Sequence, residues 1–190
     1  MRILALFSLL LLIAAPTYAQ DMPTRSSEET RVSPNAMIMQ TVGTTNVTVL
    51  YGRPSVKGRT LFGPEGEALE AYGKVWRSGA NEATVIRTSA PLMVEGEELP
   101  AGTYALFTIP NEDSWTVIFN RTADQWGAYN YDASQDQLRV EVTPMEVAHT
   151  EQLTYSFENV AGDSATLALK WGTVGVPVSM GPTERRRQPE

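Results

Sequence analysis

The sequence predicts an all-β fold: an antiparallel two-sheet β-sandwich, jelly-roll or Ig-like, with one short helix. Short runs that alternate polar and apolar residues, rich in β-branched and aromatic types, recur along the chain. Gly, Pro, Asn and Asp separate these runs at short intervals, which favours antiparallel pairing. Strands with one apolar face need a second sheet to bury it, so two stacked sheets are expected. A flattened β-barrel is the alternative.

The individual runs give the order of the strands. Residues 102–109 end at Pro110, which terminates a strand because it has no N–H to donate, and residues 115–120 form the return strand. The only helix is predicted at 65–72, because Pro64 precedes it and proline is favoured in a first turn. The other predicted strands are 46–51, 83–88, 92–94, 138–142, 152–157, 165–171 and 174–178.

Residues 1–19 have the features of a secretory signal peptide. Arg2 is followed by an apolar run at 3–15, and small residues at Thr17 and Ala19 suit cleavage after Ala19. The run is shorter than the roughly 20 residues that span a bilayer. The sequence contains no cysteine, so no lipid can be attached at the cleavage site. We therefore expect an exported protein, periplasmic or extracellular, that is soluble and not a lipoprotein, with no membrane insertion after cleavage.

The mature chain is expected to hold a single β-rich domain at 34–180. Polar residues at 20–33 predict a flexible lead-in, and 181–190 a disordered tail. The net charge of −7 disfavours nucleic acid as a partner. The missing cysteines exclude disulfides, thiol catalysis and thiolate metal sites.

Several motifs resemble a known family. They are YGRPSVKGR at 51–59, YGKVWRSGANEAT at 72–84, LPAGTY at 99–104, WTVIFN at 115–120 and WGAY at 126–129. In these motifs the chain resembles the family of domain of unknown function 2911, exported proteins of Bacteroidetes and related bacteria. The resemblance implies export and a compact β-rich domain, and it assigns no activity or catalytic residue.

The first candidate site is a cationic segment between the first strand and the predicted helix. Arg53, Lys57 and Arg59 lie within seven residues of one another in an acidic protein. Their side chains suit a carboxylate, sulfate or phosphate ligand. They could instead pair with carboxylates and fasten a long loop.

The second candidate is the turn that contains Arg77, Asn81 and Glu82. With strands on both sides, Arg77 would face Glu82 across the base of the turn and pair with it. In a catalytic interpretation Glu82 is the general base and Arg77 lowers its pKa.

The third candidate is the long connection at 120–132. Asn120, Trp126, Tyr129 and Tyr131 place aromatic rings beside polar groups, an arrangement that can bind sugars or other flat-faced ligands. The same residues could fold back and cover one end of the sandwich.

Metal and nucleophile chemistry have little basis in the sequence. The single histidine, His149, is expected at the surface, and the chain has no GxSxG motif for a serine nucleophile. Asp132 and Asp136 could bind calcium, but their spacing is not that of an EF-hand. We therefore predict no metal and no cofactor.

Two functions remain open beside a purely structural role in the cell envelope, and whether the chain is an enzyme is not decided. The first is a binding module for a small ligand, a glycan or an envelope protein. The alternative is a carboxylate-dependent hydrolase, with Glu82 as general base and arginines stabilising an anionic intermediate.

Overall fold

The computed structural model describes residues 22–25 and 29–183. The predicted signal peptide and most of the predicted tail lie outside them. The described residues contain a single 3-10 helix at Ala133–Gln135 and no α-helix. The strands are β1 (Asn35–Val42), β2 (Thr45–Gly52), β3 (Phe62–Gly63), β4 (Glu70–Ala71), β5 (Thr84–Thr88), β6 (Leu92–Val94), β7 (Glu97–Leu99), β8 (Gly102–Ile109), β9 (Trp115–Asn120), β10 (Asp136–Val142), β11 (Met145–Ala161) and β12 (Ser164–Gly181).

These strands form two principal sheets. The larger has the order β1-β2-β5-β8-β9-β10, and the smaller has the order β11-β12-β6-β7. Every neighbouring pair in both sheets is antiparallel. Neither sheet closes on itself, and together they fit the predicted all-β sandwich. A short parallel pair, β3 with β4, lies outside both sheets.

The main core contains the apolar faces of both sheets. Val47, Val49 and Tyr51 alternate along β2 and are buried, as the period of two in the sequence predicts. Opposite them, the smaller sheet contributes Leu153 of β11 and Leu167 of β12 to the same core. Burial of these faces supplies the main stabilisation of a domain that has no disulfides.

An aromatic cluster closes one part of this core. The rings of Trp76 and Trp171 stack with centroids 5.7 Å apart and an interplanar angle of 14°. Phe62 meets Trp76, Trp115 and Trp171 edge-on, with centroids between 4.7 and 5.9 Å apart. The segment around β3 is therefore attached to both sheets by packing.

A second, smaller core lies on the other face of the larger sheet. Ala105 and Phe107 alternate along β8 with residues of the main core, so they point to the opposite face. Tyr131 covers this face, with its ring 5.1 Å from that of Phe107 in an edge-on contact. The 120–132 connection thus covers part of the sheet.

The predicted helix at 65–72 is wrong. Glu70 N–H donates to the Leu61 carbonyl at 2.8 Å, and Tyr72 N–H donates to the Gly63 carbonyl at 2.8 Å. These donors therefore form the β3–β4 pair instead of helical bonds. Gly66, with φ of +87°, turns the chain between the two strands.

The last three predicted strands belong to one long hairpin. Runs 165–171 and 174–178 are both parts of β12, and run 152–157 is the middle of β11. The pairing shifts register between Glu146 and Thr150 and again between Thr150 and Thr154. Gly172, with φ of +60°, lies in this irregular region, which explains the break in the sequence pattern.

Candidate functional site

A cleft of about 260 Å³ brings together residues from distant parts of the sequence. The loop after β2, the β4 region, the turn after Trp76, and β12 all contribute to its lining. We call it the cationic cleft, and its lining includes Lys57, Arg59, Glu70, Arg77, Asn81 and Trp171. Two cationic residues of the first candidate group and two residues of the second therefore share one cleft.

Arg77 extends from a firmly held backbone. Trp76, which precedes it, is buried and forms a bridge to Thr108 through bonds of 2.7 and 2.9 Å. The turn that follows has positive φ at Ser78 (+53°) and Asn81 (+64°). Its middle lies on the end of β2, since a Cβ built on Gly52 would be 2.2 Å from the Ala80 carbonyl oxygen.

Buried hydroxyl groups fix the same turn from inside. The Ser78 carbonyl accepts from the Tyr155 hydroxyl at 3.0 Å and from Thr84 Oγ1 at 2.9 Å. The Ser78 hydroxyl donates to Thr108 Oγ1 at 3.0 Å. Burial raises the pKa of Tyr155, so this phenol keeps its proton and remains a donor. Arg77 and Asn81 therefore extend from a preorganised support.

Arg53 does not line the cleft and is used to fasten the loop. Its Nε donates to the Leu153 carbonyl at 3.0 Å, and its Nη2 donates to Thr154 Oγ1 at 2.9 Å. Two backbone bonds, Val56 N–H to Glu151 O and Leu153 N–H to Pro54 O, hold the same loop to β11. For Arg53 these contacts match the fastening role that the sequence analysis left open, with β11 oxygens in place of carboxylates.

Lys57 and Arg59, in contrast, line the cleft. Arg59 donates from Nε to the Val56 carbonyl at 3.0 Å and from Nη2 to the Ser55 carbonyl at 2.6 Å. These bonds hold the guanidinium group of Arg59 against the backbone of its own loop. Lys57 is exposed, and its backbone N–H donates to Glu151 Oε1 at 3.0 Å.

Glu70 is the carboxylate among the described residues that line the cleft. Its backbone is fixed by the β3–β4 pairing. Burial raises the pKa of its carboxyl to about 7, although Arg77 and Arg59 lower it by their positive charge. Glu70 therefore changes its charge close to neutral pH.

Two donors of the lining residues have no hydrogen-bond partner. They are Nε of Arg77 and Nε1 of Trp171, both buried atoms. Trp171 itself is 1% exposed. A buried donor without a partner carries a desolvation cost that a bound ligand or water can remove. Three further buried polar atoms without a partner belong to described residues outside this lining, Arg25, Trp76 and Gln125.

The predicted Arg77–Glu82 pair is wrong. Nη1 of Arg31 donates to both carboxylate oxygens of Glu82, at 2.7 and 2.9 Å. Burial alone would raise the pKa of Glu82, but the bond from Arg31 and the charge of Arg25 lower it below its ordinary value. Glu82 is not among the described residues that line the cationic cleft.

Two of the four residues proposed in the third group have structural partners. Nδ2 of Asn120, fully buried, donates to the Asp132 carbonyl at 2.9 Å and to Asp136 Oδ1 at 2.7 Å. The Tyr131 hydroxyl donates to Asp136 Oδ2 at 2.6 Å and accepts from Nη2 of Arg139 at 2.5 Å. Burial, followed by the bond to Asp136, raises the pKa of Tyr131 to about 12. These contacts fold the connection onto the sheet.

The other two residues of that group are exposed. Trp126 is 57% exposed and Tyr129 is 83% exposed. The backbone of Trp126 bridges that of Glu82, and Gly127 N–H donates to the Asn81 carbonyl at 3.1 Å. The aromatic segment therefore adjoins the turn that carries Arg77, and a ligand-binding role for its rings stays a prediction.

A larger cavity of about 620 Å³ carries less chemistry. Arg121 is the one charged residue among the described residues that line this cavity, and its Nε donates to Gln137 Oε1 at 3.0 Å.

The described residues contain no group of three or more His, Cys, Asp or Glu arranged to hold a metal ion. His149 is about half exposed and contacts Glu151 at 3.3 Å. Within residues 22–25 and 29–183, no helix is long and apolar enough to cross a membrane.

The sequence analysis missed Glu70 and Trp171. Glu70 was assigned to the predicted helix, which concealed its position beside the loop at 53–59. Trp171 appeared as a strand residue, and nothing in the sequence distinguishes a core tryptophan from one that also borders a cleft. The short spacing of prolines and glycines at 54–66 could have indicated a loop in place of the helix.

Comparison with known proteins gives the family and no function. Residues 33–180 match the family described as a protein of unknown function (DUF2911). Because the match covers well over half of the chain, the chain belongs to this family, and the predicted resemblance is confirmed. No curated protein and no solved structure matches the chain.

Proposed function

We propose that this member of the DUF2911 family is an exported binding module that holds a small anionic ligand in the cationic cleft. The observation that carries the proposal is the charge of the lining: Lys57, Arg59 and Arg77 meet there, in a chain whose net charge is −7. Guanidinium groups suit carboxylate, sulfate and phosphate oxygens because their donors form a planar fork.

An unpartnered donor supports the same proposal. Arg77 lines the cleft and its Nε has no partner, so a hydrogen bond to an anion held there would satisfy this donor. Hydrogen bonds to charged groups contribute more than neutral ones, about 1.5–3 kcal/mol each. The rigid turn beneath Arg77 reduces the ordering cost of binding, which favours affinity.

Export is the second part of the proposal. Its support is the pattern of residues 1–19, with a charged start, an apolar run and a small-residue cleavage site. The product would be a periplasmic or extracellular protein without a lipid anchor. Fractionation of the producing cells, with the N-terminus of the product sequenced, tests export and the cut after Ala19. A product that keeps residues 1–19 would contradict it.

The binding proposal is tested by calorimetric titration of residues 20–190 with phosphate, sulfate and acetate. We expect at least one of these anions to bind, with affinity that falls as salt rises. Arg77→Gln should weaken that binding roughly tenfold or more, because it removes a charged donor. Arg121→Gln is the control, since Arg121 is a cation outside the cleft. Equal affinities of the wild type and the Arg77 variant would refute the assignment of the site.

A hydrolase that uses carboxylate chemistry is the second candidate. Glu70 favours it, because a carboxyl with a pKa of about 7 beside two arginines suits general acid–base catalysis. Glu70 thus takes the place that the sequence analysis gave to Glu82. Turnover of simple carboxylic and phosphoric esters that is lost in Glu70→Gln but kept in Glu82→Gln would favour this candidate over simple binding.

A further inference from the structure

We propose that the cationic cleft selects a small oxyanion that carries its own hydrogen-bond donor, such as hydrogenphosphate or a hydroxycarboxylate, over one that carries none. Glu70 is the selecting residue, because its carboxylate is a hydrogen-bond acceptor among cationic side chains that by themselves would bind any anion. This inference rests on the proposed function and specifies its ligand class.

The position of Glu70 is fixed by its backbone. The bond from Glu70 N–H to Leu61 O, with the β3–β4 pairing, sets where the side chain leaves the chain. No hydrogen bond or ion pair joins its carboxyl to another side chain within residues 22–25 and 29–183. The carboxyl is therefore available to a ligand in the cleft.

The chemistry of the ligand follows from the lining. Lys57, Arg59 and Arg77 attract any oxyanion, whereas an ionised Glu70 repels an oxygen that has no hydrogen to donate. Phosphate keeps at least one proton across the neutral range, and sulfate keeps none. Glycolate carries a hydroxyl group that acetate lacks. In each pair the first anion can donate to Glu70 and the second cannot.

The protonation of Glu70 makes the selection depend on pH. Burial raises the pKa of this carboxyl to about 7, and the positive charges of Arg77 and Arg59 act in the opposite direction. Lys57 also lines the cleft. Above pH 7 the carboxylate only accepts hydrogen bonds. Below pH 7 the protonated carboxyl can donate to sulfate or acetate, so the preference is expected to fade.

The test measures the affinity of residues 20–190 for phosphate, sulfate, glycolate and acetate at pH 8 and pH 6. At pH 8 we expect phosphate to bind roughly tenfold or more tightly than sulfate, because sulfate leaves an unpaired carboxylate beside it. Glycolate should likewise bind more tightly than acetate at pH 8. In Glu70→Gln both ratios should move toward one at either pH, since the amide can donate as well as accept. In the wild type the glycolate-to-acetate ratio should also move toward one at pH 6, and this pair is the one compared across pH because phosphate changes its own charge between pH 8 and pH 6. Glu67→Gln, exposed in the same loop, should keep the wild-type ratios.

The two proposals can fail separately. Tight binding with equal affinities within both pairs at pH 8, phosphate with sulfate and glycolate with acetate, would overturn this inference and leave the anion-binding function standing. Absence of binding by all four anions would overturn both. The glycolate and acetate affinities of the wild type at pH 8 and pH 6 require no variant, so a misfolded Glu70→Gln protein would not prevent the decision. A preference for one pair only, phosphate or glycolate, identifies which source of the donor the cleft accepts.

Discussion

Two glutamates near the same turn show how the surroundings of a carboxyl decide its chemistry. Glu82 is bonded to Arg31, and this bond outweighs burial and lowers its pKa. For Glu70 the effect of burial exceeds that of the arginines, and its pKa rises to about 7. Glu82 is therefore suited to fastening the structure, and Glu70 to exchanging a proton or a hydrogen bond with a ligand.

Glu70→Gln is expected to stabilise the protein above neutral pH. A carboxyl whose pKa is raised on folding contributes stability that is complete below its unfolded pKa of about 4.3 and is lost as the pH rises through 7. The variant avoids this loss, so at pH 8 its free energy of unfolding should exceed that of the wild type by about 1–2 kcal/mol. At pH 4 the two should agree.

Urea unfolding at both pH values measures this difference. Glu67→Gln should match the wild type at both, because Glu67 is exposed. A Glu70→Gln protein that is less stable than the wild type at pH 8 would show that the arginines, rather than burial, control this carboxyl.

At the scale of elements, the contact between the end of β2 and the 78–81 turn positions the cleft. Gly52 has no room for a side chain, because the Ala80 carbonyl oxygen would lie 2.2 Å from its Cβ. Gly79 is restricted in the same way, with Thr84 Oγ1 at 2.8 Å. The turn therefore lies directly against the strand, and this contact determines where Arg77 leaves the backbone.

Gly52→Ala should destabilise the domain by about 1–3 kcal/mol, as expected when extra volume is forced into a packed contact. It should also weaken anion binding, since the turn must move away and take Arg77 with it. Chemical unfolding and titration with phosphate measure the two effects. Gly181→Ala is the control, because nothing lies within 4 Å of a Cβ at that position. A fully stable Gly52→Ala protein would mean that the contact is not tight.

Strands whose sequence pattern is local were predicted correctly, and elements that depend on distant contacts were not. Run 102–109 coincides with β8, because alternation and Pro110 define it locally. The helix at 65–72 failed because its backbone donors bond to residues 61–63, a pairing that no local pattern reveals. β1 was not predicted at all, since its exposed methionines obscure the alternation.

For the candidate site, the sequence indicated several of the residues but not which of them contact one another. Arg59, Arg77 and Asn81 were recognised from residue type and turn context, and the structure places all three in one cleft. The partner of Glu82 was not foreseen, because Arg31 is 51 residues away in sequence and lies in the predicted lead-in. Contacts across such distances depend on the topology of the sheets, which residue patterns leave undetermined.

At the scale of the whole molecule, the described residues before β1 contact the end of the sandwich that holds the cationic cleft. Nδ2 of Asn81 donates to the Ser33 carbonyl at 3.1 Å, and Arg53 N–H donates to the Pro34 carbonyl at 2.9 Å. Arg25 donates to the Ala83 carbonyl. Ser33 also lines the cationic cleft, so this segment contributes to the site as well as to the fold.

The Arg31–Glu82 pair links this segment to the domain, and Glu82→Gln should therefore destabilise the protein by about 1 kcal/mol at pH 7. Because folding lowers the pKa of Glu82, its contribution is complete above the unfolded value of about 4.3 and declines as the pH falls further. Urea unfolding should thus show a difference from the wild type at pH 7 that shrinks toward pH 3. Glu65→Gln removes the more exposed contact with Lys74, at 3.5 Å, and should change nothing measurable. If the two variants lose equal stability, the segment before β1 is not held to the domain by this pair.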